Sequence, residues 1–344
     1  MDLCYNGDIV VPEYIIHIGP PKVGSKYLQT SLAARSVGLK EAGIYYPVNE
    51  FSPTREVWHK ALCDRLKSGN DDGLKGIFDA LNRANYSYIV FSFEGFFGLS
   101  DAVLNYLKAL IGDNAVRIVY YCRHLSERIP SLWVQNVKEG YSEVFPFMYA
   151  RSLNDLLIAP DFNNRLVWER FARIFDRKSL NLVSFSNLRD QNIDLIEHFS
   201  RTFLNLETLP PADRPSSIDK NVSPDVYHTE VLRAMNAIYR NENGTNSNLV
   251  RRKFLSRDDD DLFEKVKFAM NDSLQSIMID ERRGIFELVY NEVSRFKDRL
   301  INPTPSGEFF TRAATSFHFV NQDYLLNRST TQAIFELYTR TMES

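Results

Sequence analysis

The chain has 344 residues, 44% of them hydrophobic and 25% charged, with a formal net charge of −3. That is the make-up of a soluble globular protein with one large or two smaller domains, and it offers no global attraction to nucleic acid or to an anionic membrane. Cys4, Cys63 and Cys122 show no metal-site spacing, the opening MDLCYNGDIVVPEY is unlike a signal peptide, and no apolar run is long enough for a membrane helix. The expectation is a cytoplasmic protein with no membrane span and no nucleic-acid partner; oligomeric state is not legible.

In chain order, Tyr14–Ile18 reads as a buried strand stopped by Gly19-Pro20-Pro21, with a helix next over Lys22–Ala34. A second strand is expected at Gly43–Pro47 and a helix at Leu74–Arg83. Tyr86–Phe93 is aromatic and β-branched, as a strand would be. Then come a helix at Val103–Leu110, a strand at Val116–Cys122 and a helix at Leu125–Lys138 with Pro130 as an irregularity. Asn163–Phe175, Leu180–Phe185 and Ile193–Leu204 continue as helix, strand and helix. Strands separated by helices predict an α/β fold: a central parallel sheet flanked by helices, with a helical C-terminal extension.

After Leu209 the pattern changes. PPADRPSS resembles a linker, and the chain beyond it has helical periodicity. One helix is expected behind Ser223-Pro224-Asp225, with Ser223 as its cap and Tyr227, Val231, Ala234 and Ile238 inward. A second opens at the aspartate run RDDDDL with Leu262, Val266, Ala269 and Ile277 inward, and a third covers Ile285–Leu300. A last short helix is expected near Thr331–Thr341. The expected division is residues 1–209 as an α/β core and 210–344 as a mainly helical extension packed on it.

In an open parallel sheet, ligands bind beyond the carboxyl ends of the strands. Three polar segments fall there independently: Gly19–Lys26, Glu94 and Arg123. GPPKVGSKYLQ combines a glycine-containing turn opening a helix with Lys22, Lys26 and the hydroxyl of Ser25, a combination suited to an anion. Its Gly24-Ser25-Lys26 order differs from GxxxxGK[ST], so a conventional Walker loop fits poorly.

IHIGPPKVGSKYLQTSL resembles the 5′-phosphosulfate loop of the sulfotransferase superfamily, PKxGTTxL, with Pro21-Lys22, Gly24 and Leu28 in place and Ser25 for the first threonine. Lys26 replaces the second threonine, a departure that bears on donor affinity. RHLSERIPSLW is similar to the family's 3′-phosphate motif, an arginine at a strand end and a serine eight residues on: Arg123 and Ser131. DKNVSPDVYHTEVLRAMN resembles a segment of bacterial sulfotransferase-like proteins, from which Lys220 reaches the 3′-phosphate. In character the chain comes nearest to bacterial carbohydrate-type members.

The resemblance implies a transferase moving a sulfuryl group from 3′-phosphoadenosine-5′-phosphosulfate (PAPS) to a hydroxyl or amine of a small-molecule or carbohydrate acceptor, with no metal. It implies donor contacts from Lys22, Val23, Gly24, Ser25, Lys26, Tyr27, Arg123, Ser131 and Lys220, with Lys22 also neutralising the leaving phosphate. Two residues compete for the base: Glu94, directly after its strand, and His59, in VWHKAL on an expected helix. His17, inside the first strand, reads as core. Two rivals stay open: a P-loop kinase or other nucleotide-binding enzyme using ATP and Mg, and a non-catalytic nucleotide-binding protein of the same fold.

Overall fold

The computed structural model describes residues 11–47, 49–51, 57–69, 73–159, 162–213, 224–254, 261–282, 284–302 and 314–343. The elements used below are, in chain order, β1 (Glu13–His17), α1 (Ser25–Ala33), β2 (Ile44–Tyr45), α2 (Lys60–Ser68), α3 (Leu74–Arg83), β3 (Tyr88–Ser92), α4 (Asp101–Ile111), β4 (Val116–Cys122), α5 (Leu125–Lys138), α6 (Asn164–Phe175), β5 (Leu180–Ser184), α7 (Leu195–Phe203), α8 (Val226–Asn243), α9 (Asp261–Met270), β6 (Leu274–Asp280), β7 (Ala314–Val320) and α10 (Arg328–Glu343). The chain divides into two compact units, one of residues 1–123, 158–219 and 289–311, the other of 124–157, 220–288 and 312–344.

The first unit is built on a five-stranded sheet in the order β2-β3-β1-β4-β5, every pair parallel. Its strands read as apolar runs because both faces are covered. Ile15, Val90, Val119, Tyr121 and Val183 pack against Leu28 and Leu32 of α1 and Ile196 and Phe199 of α7. On the other face Tyr14 and Phe91 meet Phe78 of α3, and Tyr120 meets Trp168 of α6. Each such side chain contributes about 1.5–3 kcal/mol on burial. From β1 the chain winds to β2 and β3 on one side, then crosses to β4 and β5 on the other. The crevice of such a sheet opens at the carboxyl ends of β1 and β4, where the direction reverses. The expected α/β architecture is therefore present.

The helix expected from Lys22 starts three residues later, at Ser25. Lys22 has φ 73° and Gly24 φ 78°, both left-handed, so the backbone cannot be helical there. The linker-like stretch is docked at its start: Asp213 accepts from the Val37 N–H at 2.8 Å, and Pro210 accepts from Arg35 Nε at 3.1 Å.

The second unit holds α5, a helix over Phe145–Asp155, α8, α9, α10 and a hairpin of β6 and β7. Trp133, Phe145, Phe317 and Phe319 form its aromatic centre. The helix expected to run through Ile277 ends at Met270, and Ile277 lies on β6 opposite Phe317. The third expected helix is α-helical only over Ile285–Val293 and tightens to a 3-10 turn over Ser294–Arg299. α8 is capped by Asp225, which accepts from the His228 N–H at 2.8 Å. Ser223, Lys220 and the acidic residues before Asp261 lie outside the described residues. No helix among the described residues is long and apolar enough to cross a membrane.

Candidate functional site

The loop between β1 and α1 ends in a helix N-terminus with no side-chain cap and no acidic residue in its first turn. The first intrahelical bond runs from the Leu28 N–H to the Gly24 carbonyl at 3.0 Å, which leaves the N–H groups of Ser25, Lys26 and Tyr27 outside the helical ladder. Those donors and the positive end of the helix dipole favour an anion. Ser25 is buried, and its hydroxyl has no hydrogen-bond partner among the described residues. A buried hydroxyl left unmatched costs about 1–3 kcal/mol, so its presence beside an uncapped helix end fits a ligand that accepts from it.

Gly19 and Gly24 are required by their surroundings. Gly19 has φ 96°, and a methyl group there would stand 2.9 Å from Cα of Glu94. Gly24 has φ 78°, and its methyl would stand 2.8 Å from Leu195 Cδ2. The loop is thus wedged between the end of β3 and the start of α7, where only glycine permits both the backbone and the approach.

Glu94 comes just after β3 and opens a 3-10 turn over Glu94–Gly98. Gln29, buried on α1 one turn beyond Ser25, donates from Nε2 to Glu94 Oε2 at 3.0 Å. Arg123, directly after β4, donates from Nη1 to the Lys22 carbonyl at 2.9 Å. Lys22, Glu94 and Arg123, read from three separate strand ends, therefore meet around one loop. Arg123 also holds the left-handed residue Lys22, a backbone state that costs roughly 1–3 kcal/mol and persists only under such constraint.

The remaining sequence candidates occupy varied positions. Lys26 is exposed on the first turn of α1, and Val23 is wholly buried, so that only its backbone faces the loop. Tyr27 donates to Asp194 Oδ2 at 2.8 Å, and burial together with that carboxylate pushes its phenol up to about 12. Ser131 is half-buried on α5 in the second unit, whereas Arg123 belongs to the first.

His59 lies just before α2, as its N-cap residue, and is 1% exposed. Its ring is surrounded by Tyr46, Phe51 and Phe91, with centroids 4.8, 6.2 and 5.1 Å away. Nδ1 accepts from the Ser92 N–H at 3.1 Å, and burial lowers the imidazole to about 3. His17 is likewise core, with Nδ1 2.7 Å from Ser92 Oγ and burial lowering it to about 3. Neither imidazole carries charge near neutral pH.

Gln29 is a site residue that the sequence does not single out. Its signal is a polar residue four positions from Ser25 on the buried face of α1, alongside Leu28 and Leu32. Tyr46 is buried and donates to the Val57 carbonyl at 2.8 Å, and burial and then the Glu94 carboxylate push its phenol well up.

No family model matches the chain, and no curated protein matches it. Among solved structures it is similar to a sulfotransferase from Alicyclobacillus acidocaldarius, over 74% of this chain and 98% of that one, at 15% identity and a TM-score of 0.38. So distant a likeness does not bear on substrate or on residue roles, and it does not favour a carbohydrate type over any other.

Proposed function

We propose that the chain is a sulfotransferase that moves a sulfuryl group from PAPS to a hydroxyl or amine acceptor. The observation that carries this is the uncapped N-terminus of α1 with the buried, unpartnered Ser25 hydroxyl beside it, on a loop whose Lys22 is fixed by Arg123. Lys22, Ser25 and the first N–H groups of α1 would hold the 5′-phosphosulfate, and Arg123 the 3′-phosphate.

The acceptor oxygen or nitrogen forms a bond to sulfur as the bond from sulfur to the 5′-phosphate oxygen breaks. The electron pair leaves with the phosphate, whose added charge is met by Lys22 and the helix end. The acceptor's proton passes to Glu94, which Gln29 orients. Positioning and fixed charge supply the catalysis, as in phosphoryl transfer.

The test has two arms. 3′,5′-Adenosine bisphosphate should raise the melting temperature far more than ATP or 5′-AMP, and Arg123→Ala should abolish that preference. An acceptor screen with labelled PAPS in excess chelator should yield a product heavier by one sulfuryl group. Equal shifts with all three nucleotides would remove the assignment of Arg123, and strict magnesium dependence with ATP turnover would make the protein a kinase.

A further inference from the structure

We propose that the first unit carries a second ligand site, for a small zwitterion of the amino-acid class, at the end of α1 remote from the phosphosulfate loop. A cavity of about 380 Å³ lies there, lined by Arg35, Glu197, Ser200, Arg201, Glu207 and Thr208 among others. α1 has nine residues and so spans about 13 Å at 1.5 Å per residue, with Gly24 before its start and Arg35 just past its end. The cavity is therefore separate from the site around Lys22.

Four charged side chains line this cavity, two guanidiniums and two carboxylates, and among the described residues none of them forms an ion pair. Arg35 spends Nε and Nη1 on the carbonyls of Pro210 and Ser31, at 3.1 and 3.0 Å, which fixes its fork without neutralising it. Glu197 and Arg201 stand four apart on α7, in the order that favours a helical pair, yet they do not pair. Ser200, between them in sequence, is 1% exposed, and its hydroxyl has no hydrogen-bond partner among the described residues. A buried donor left unmatched in the wall of a polar cavity calls for a partner inside it.

The charge pattern selects the ligand. A simple anion would meet Glu197 and Glu207, and a simple cation would meet Arg35 and Arg201. The lining sums to zero, so neither is drawn in by the net field. A molecule carrying a carboxylate and an ammonium a few ångströms apart satisfies both sets: the guanidinium forks take the carboxylate, the glutamates take the ammonium, and the Ser200 hydroxyl completes the contact. The volume is at the small end of ligand cavities, enough for an amino acid and too small for a nucleotide.

Calorimetry on the full chain tests this with the twenty common α-amino acids, each beside its decarboxylated amine and its deaminated acid, and with inorganic phosphate. At least one amino acid should bind saturably, with its amine and acid at least about ten-fold weaker, the scale of one charge-assisted hydrogen bond. Arg201→Ala should weaken that binding about ten-fold and Ser200→Ala by a smaller factor. Both variants should keep the wild-type melting shift with 3′,5′-adenosine bisphosphate, which shows that they fold and reads the loop independently. No binding across the panel would overturn the site. So would phosphate or a deaminated acid binding as tightly as the amino acid, or binding indifferent to both variants.

Discussion

Glu94 and His59 both lie at the end of β3, and what separates them is solvation. Glu94 is half-buried at the rim, backed by Gly19 and held through one oxygen by Gln29. His59 is enclosed by aromatic rings and spends Nδ1 on the Ser92 N–H. Both residue types abstract protons in enzymes, but a base has to reach the acceptor and return its proton to water. By that criterion we propose the rim carboxylate as the base, with the enclosed imidazole serving as an acceptor for one strand N–H.

Mutation of each residue separates the two roles most cleanly. Glu94→Gln keeps the shape and the contact with Gln29 while removing the base, and should lower turnover by about 10²–10⁴. His59→Gln should leave turnover per folded molecule within a few-fold and lower the melting temperature instead. Assays normalised to folded protein distinguish the two, and a dead His59→Gln beside an active Glu94→Gln would reverse the roles.

Lys22 comes next in size. It stands on the loop that Gly19 packs against Glu94, and losing one fixed cation where charge develops should cost about 10²–10³ in rate. The fold should survive, because Arg123 holds the Lys22 backbone carbonyl and not its side chain. Near-normal turnover of Lys22→Ala would move the donor site away from this loop.

These residues show how much is legible in the sequence and why. The strands of the first unit are short apolar runs closed by turn residues, so period and punctuation agree, and the strand ends locate Lys22, Glu94 and Arg123. The burial of His59 is not legible because a histidine in VWHKAL gives no sign of the Tyr46, Phe51 and Phe91 rings that close around it from other segments. Strand β6 reads as helix because Ile277 falls at helical spacing from Val266 and Ala269. The pairing that decides it, with Phe317, comes from forty residues away along the chain. Gln29 escapes notice because a buried amide is informative only once its partner is known. In each case the missing information is a long-range partner.

The enclosed histidines carry a pH signature of their own. Burial lowers His17 and His59 to about 3 and His198 to about 4, against about 6.5 when unfolded. Below 6.5 the unfolded chain therefore binds protons that the folded chain refuses. Stability is constant above that pH and falls as pH drops through the window from 6.5 towards 4, by about 1.4 kcal/mol per pH unit for each histidine. Urea midpoints between pH 6.5 and 5 should show this slope, and His59→Gln should reduce it by one histidine's share. An unchanged slope would mean that His59 takes up its proton in the folded state, in contact with water after all.

The smallest effect is expected at Lys26, the second lysine of the loop. It is exposed on the first turn of α1, where a cation opposes the helix dipole, so Lys26→Thr should leave stability unchanged or raise it by about 0.3–1 kcal/mol. Its attraction for a bound phosphate acts largely through water, where two unit charges 4 Å apart gain only about 1 kcal/mol. Binding of 3′,5′-adenosine bisphosphate should therefore weaken roughly two- to five-fold in Lys26→Thr, on the scale of that single solvated contact. Because salt screens exposed charges over about 8 Å, the variant's affinity should also fall less steeply between low and physiological ionic strength than the wild type's. A side chain that points away from the nucleotide would give the stability gain alone, with affinity and salt dependence both unchanged. The two slopes thus separate a lysine that assists the helix end from one that merely stands beside it, and they do so with turnover left out of the measurement.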